Sequence, residues 1–283
     1  MMDIRNRIFG RRRGRSLAAA ATLAVAIGAA AAPQAFAKAV VNHEFDRFAD
    51  CPITVKKLVN CVSATVTGGE FHVGSKAVII NKPITLQGGQ LNNQEALVPA
   101  ADGNTLSHTP LKVPGGLIGI EGIGGEVTAT TELVGPALIN TNHLFTREGT
   151  AVTLPIRVKL DNAALGPECF IGSEVEPITL RLTTGTTSPP APNKPITGSP
   201  GTIHVEGGGT FANVEGISLV DNSFGAPGTN GCGGALAFLL NPLVAVAAGL
   251  PSTSGHNTAI LNQSVSQAAV KYVKKSHVIP KAK

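Results

Sequence analysis

In the segment "LPIRVKLDN", Ile156, Val158 and Leu160 face one way and Arg157 and Lys159 the other. A period of two places alternate side chains on opposite faces, so this stretch reads as a strand with one buried and one wet side. The same style recurs along the chain. In Val62–Thr67, Val62, Ala64 and Val66 alternate with Ser63, Thr65 and Thr67, and "KAVIINKPITLQGG", "GEVTATTELVG" and "PITLRLTTG" continue it. These short runs lie between glycine and proline breaks, of which the 283 residues hold 33 and 19. Charged residues make up only 14%, against about 25% in an ordinary globular chain. Many short strands with frequent turns predict a mainly β protein, an antiparallel β-sandwich-like domain. No fixed-period repeat points to a propeller or solenoid. The Pro/Gly-rich stretch 186–201 is expected to be a long surface loop, because strand-like sequence resumes after it.

All four cysteines, Cys51, Cys61, Cys169 and Cys232, follow residue 37. An even number suits two disulfides in an oxidising compartment, and three pairings are possible. The preferred one joins Cys51 to Cys61 across a short loop and Cys169 to Cys232 across a long one. No C-x-x-C or Cys/His pair at zinc spacing competes with this.

The compartment is suggested by the start of the chain. Arg5, Arg7, Arg11, Arg12, Arg13 and Arg15 precede an apolar, alanine-rich stretch, Leu17 to Ala32, and then Pro33 and the triplet Ala35-Phe36-Ala37. This order of basic, apolar and small-x-small segments reads as a secretory signal peptide over residues 1–37, with Lys38 first in the mature protein. The leader holds six of the 23 basic residues and one of the 18 acidic ones, leaving 17 of each. The net charge of +5 thus belongs to the leader. A balanced mature chain lacks the basic footprint that nucleic-acid binding requires.

One local bias survives. No acid follows Asp221, while Lys271, Lys274, Lys275, Lys281 and Lys283 cluster in "KYVKKSHVIPKAK". Residues 271–283 are expected to form a basic solvated tail after a single domain over 38–270. Contact with an anionic wall polymer or lipid surface is its functional reading.

The longest apolar run of that domain, within "NGCGGALAFLLNPLVAVAAGLPS", is broken by Asn241-Pro242 before it can span a membrane. Two short helices inserted near the C-terminus are expected from it. The second would be capped by Asn241, opened by Pro242 and ended by Gly249. Packing in the core is the expected role of both, and contact with lipid is the alternative.

Candidate chemistry is sparse. No nucleophile elbow, zinc-protease, phosphate-loop or dinucleotide motif occurs, so no cofactor is implied. "GGEFHVG" places Glu70 and His72 two apart, and "TIHVEGGG" does the same with His204 and Glu206. On neighbouring strands these four could hold a divalent metal. His43, Glu44, Asp46 and Asp50 gather in "NHEFDRFADC", which is expected to be a mobile polar terminus. Without Trp, and with Tyr272 as the only tyrosine, the chain lacks the platforms of a carbohydrate-binding module.

Taken together, the leader, "ADCP…NCV…TGGEF", "NKPITLQGG" and "NGCGG…NPLVAVAAGLPS…NTAILNQ" resemble a family of uncharacterised secreted proteins of high-GC Gram-positive bacteria. The resemblance implies an envelope or extracellular setting and brings no activity and no site residues. The expected function is non-enzymatic: a secreted or envelope-associated binding or structural protein. A secreted hydrolase or metal-dependent enzyme and a carrier of an apolar ligand are the alternatives.

Overall fold

The structure is a computed structural model and describes residues 43–116 and 125–276. The expected leader, Lys281 and Lys283 lie outside the described residues. All the described elements belong to one compact unit, Ala39–Lys283. In its first half run β1 (Leu58–Val73), β2 (Lys76–Ile79), β3 (Ile84–Leu91), β4 (Leu97–Pro99), β5 (Leu111–Lys112), β6 (Thr128–Leu133), β7 (Leu138–Ile139) and α1 (Thr141–Thr146). There follow β8 (Val152–Asp161), β9 (Phe170–Ile171), β10 (Ile178–Leu182), β11 (Ser199–Glu206), β12 (Phe211–Asp221) and β13 (Thr229–Asn230). Helix α2 (Ala237–Ala248), β14 (Thr258–Ala269) and α3 (Val270–Ser276) complete the described order.

The strands form two antiparallel sheets, as the alternating segments predict. One runs β11-β12-β14-β1-β3-β4 with β2 paired to β1, and the other runs β13-β9-β8-β6-β5 with β7 and β10 paired to β8. The inner faces share one apolar interior. Val152, Leu154, Ile156, Val158 and Leu160 of β8 are all buried, while the residues between them are half-exposed. Val62, Ala64 and Val66 of β1 belong to the same core. The sheets are tied where β10 reaches β12. Val220 and Thr183 exchange backbone hydrogen bonds at 2.9 and 3.0 Å. The buried Asp221 carboxylate accepts the Arg181 N–H at 2.7 Å and the Ser223 N–H at 2.8 Å.

Both expected disulfides are present, Cys51–Cys61 and Cys169–Cys232, and all four cysteines are buried. The Pro/Gly-rich stretch folds back on itself: Gly198 N–H donates to the Gly185 carbonyl, and Thr187 N–H to that of Ile196. Asn193 anchors the tip, donating to the carbonyls of Asn222 and Asn257.

Two stretches expected to be loose are docked. His43–Phe48 forms a 3-10 turn, which places Phe45 and Phe48 on one side. Both phenylalanines are buried against Phe211, with the Phe45 and Phe211 rings 5.6 Å apart, so the polar terminus is an apolar clamp. Its charged residues conceal this in the sequence. The first half of the basic tail is α3. Val270 and Val273, three apart, are buried in the same small core. Lys271, Lys274 and Lys275 lie on the helix, with Lys271 Nζ 4.7 Å from the Tyr272 ring centre.

Candidate functional site

Protein interiors are normally close-packed, but this one is not filled between its sheets. A void of about 110 Å³ lies there, and a second of about 60 Å³ adjoins it through Phe71, Val78, Ala129 and Val158, which line both. The walls are apolar side chains, mostly aliphatic ones of both sheets with Phe71 and with Leu144 of α1, and Thr131 and Gln263 are the polar residues of the larger space. Leu261 and Val265 of β14 face this space yet are only partly buried. At roughly 24 cal/mol per Å³ of cavity, a void of about 110 Å³ costs on the order of 2–3 kcal/mol of packing.

The wall changes character at Gln263. The register of β1 shifts between Val66 and Gly68, and that of β12 between Val214 and Ile217. Val66 and Ile217 are both opposite Gln263 on the intervening β14. Bulges interrupt the ladder, here on both sides of one residue. Gln263 lines the inner void and also an outer depression shared with Thr67, Glu215, Gly216, Asn262 and Ser264. It supplies an amide where the interior lies nearest to a polar surface hollow.

Helix α2 closes the smaller void. Val244 and Ala248 line it together with Val73 and Val78 of one sheet side and Leu160 and Ile171 of the other. Its C-terminus is seated by the β1–β2 turn: Ser75 N–H donates to the Ala248 carbonyl and Ser75 Oγ to that of Ala247. Gly74 adopts φ +59°, and a Cβ there would collide with the Ala248 and Gly249 carbonyls. The fully buried Asn257 holds the turn, accepting the Gly74 N–H at 2.9 Å and donating to the Phe224 carbonyl at 2.9 Å. Gly249 ends the helix in the left-handed conformation, φ 67° and ψ 40°, as expected.

The start of the helix differs from expectation. Gly234–Leu236 is a 3-10 turn that leads directly into α2, and Pro242 lies inside the helix. Asn241 is not its cap. The Asn241 side-chain oxygen accepts the Cys232 N–H at 2.8 Å, and its backbone carbonyl accepts Thr229 Oγ1 at 2.8 Å, so it fastens the helix to the disulfide segment. Core packing, expected for the whole run, holds for one side alone. Val244 and Ala248 are buried, whereas Leu236 (54%), Phe238 (73%), Leu239 (53%), Leu243 (64%) and Val246 (81%) are exposed.

The metal candidates do not assemble. Glu70 and His72 lie near the end of β1, with Glu70 Oε2 3.1 Å from His72 Nε2, and both side chains are half-exposed. His204 and Glu206 lie on β11, three strands away at the sheet edge. Following the register, His204 aligns through Asn213 and Ser266 with Ser63 of β1. At about 3.4 Å per residue, His72 lies about 30 Å further along the strand. Among the described residues, no three or more His, Cys, Asp or Glu side chains come together as a metal site. No described helix is long and apolar enough to cross a membrane. The void was not legible as a site in the sequence; its one local signal was the amide of Gln263 on an otherwise apolar inward face.

Compared with protein-family models, with curated proteins and with solved structures, the chain matches none of them.

Proposed function

We propose that this is a secreted or envelope-associated, non-enzymatic binding protein whose ligand is apolar, a single acyl chain held between the sheets. The carrying observation is the void of about 110 Å³ with almost wholly aliphatic walls and an adjoining space of about 60 Å³. Ligand sites are mostly apolar with a few placed polar groups, and Gln263 and Thr131 are such groups here. A dry apolar cavity of roughly 150 Å³ is enough to take up benzene. The two disulfides support an oxidising compartment.

The test uses residues 38–283, the expected mature chain, stripped of lipid and titrated with saturated fatty acids of increasing chain length. Affinity is expected to rise by about 0.8 kcal/mol per added methylene, then level off once the void is full. Ligand at about 100 times its Kd should stabilise the fold by about 2.7 kcal/mol. Ala129→Phe fills the junction of the two spaces and should abolish binding without lowering the melting temperature of the free protein. No melting shift with any chain length, or equal binding by Ala129→Phe, would refute the reading.

A further inference from the structure

We infer that the outer face of α2 is a seat for a lipid surface, into which the helix lies flat with its exposed side chains in the acyl boundary. Leu239, Pro242, Leu243 and Val246 stand at i, i+3, i+4 and i+7, the spacing of one helix face, and all four are exposed. Leu236 and Phe238 extend that surface at its N-terminal end. A helix that is apolar all round is normally buried on every side; α2 is buried on the Val244/Ala248 side only.

The choice of occupant rests on area and on chemistry. At roughly 150–200 Å² per large apolar side chain, the exposed fractions amount to about 500–650 Å². That is as large as the biggest patch on an ordinary monomer, which marks a contact site. It falls short of the roughly 800 Å² per partner that a stable protein interface buries. Residues 233–250 carry no charge. The one polar side chain of α2, Asn241, is turned to the Cys232 N–H. A protein interface needs about one hydrogen bond per 100–200 Å², and this face offers no side chain to make one. Hydrocarbon requires none, so the outer face of α2 can enter the acyl boundary while its inner face stays docked on the sheets.

The seat is separate from the basic segment. α2 is fastened at the Gly74 end of β1, and α3 packs near Leu58 at the other end, about 40–50 Å away along the strand. High salt therefore removes any contribution of the lysines and leaves that of α2. The inference also goes beyond the acyl-chain reading, since the seat needs no ligand in the void.

Flotation of residues 38–283 with phosphatidylcholine vesicles at high salt tests it. Wild type should float with the vesicles. Leu243→Asp/Val246→Asp should lose more than about tenfold in partitioning, with an unchanged melting temperature. Val205→Asp, at an exposed apolar position on the edge strand β11, should float like wild type. If the double variant is unstable, Phe238→Ser replaces it. Wild type that stays with the aqueous fraction, or an α2 variant that floats equally, overturns the seat. So does a lipid-free dimer that Leu243→Asp dissociates, which would make a second copy the occupant. Neither variant alters a side chain that lines the void, so the fatty-acid titration stands or falls independently.

Discussion

Asp221 is buried at the junction of β10 and β12, and its carboxyl is pushed above the ordinary range. Burial is the main cause, only partly offset by the Arg181 and Ser223 N–H donors and the Arg181 charge. The folded chain therefore keeps this proton at a pH where the unfolded chain has released it. The associated stability is present at low pH and declines as the pH rises from the ordinary carboxylate value through the raised one. Denaturation of wild type and Asp221→Asn across that window checks this. Wild type should lose stability relative to the variant as the pH rises, and a constant difference would contradict the assignment. At this scale the sequence was partly legible. The inward residues of β8 and β1 could be named because a strand residue has only two sides to choose from. Whether Glu70 and His72 would meet His204 and Glu206 depended on strand order, which no local pattern encodes.

The element scale centres on α2. Pro242 lacks the N–H that would bond the Phe238 carbonyl, and an interior proline costs about 3 kcal/mol relative to alanine in a helix. Pro242→Ala should therefore raise the melting temperature. Asn241→Leu should lower stability by about 1–3 kcal/mol, because the Cys232 N–H loses its acceptor. Opposite signs for the two neighbours separate this arrangement from a helix start, where both residues would support the cap; thermal melts of the single variants decide. The disulfides differ by span, with sequence separations of 10 and 63 residues. Chain entropy gives the longer loop the larger effect, by about 1–2 kcal/mol. Cys232→Ala should thus melt lower than Cys61→Ala, and the reverse order would point to the Phe45/Phe48 clamp as the more demanding partner. The pairing was legible from loop lengths. The orientation of α2 was not, because a run that is apolar on all sides has no period to mark its inner face.

Over the whole molecule, the antiparallel sandwich followed from alternation and turn density, both local properties. The void did not, since it is set by how two sheets approach, and small residues such as Ala64 and Ala129 look the same in a filled core. The strand order carries one more consequence. β1 and β14, the first and last strands described, lie side by side in the middle of their sheet, paired from Asn60↔Ala269 to His72↔Thr258. During synthesis almost the entire unit must emerge before that central ladder can close. Until Ala269 is free, β12 and β11 have no neighbour through which to join β1. A chain cut short between β12 and β14 is left with two half-sheets, β11-β12 and β1-β3-β4, and unpaired edges. Closure of that sheet is thereby deferred until β14 is made, while the other sheet, whose strands all precede it, needs no part of it.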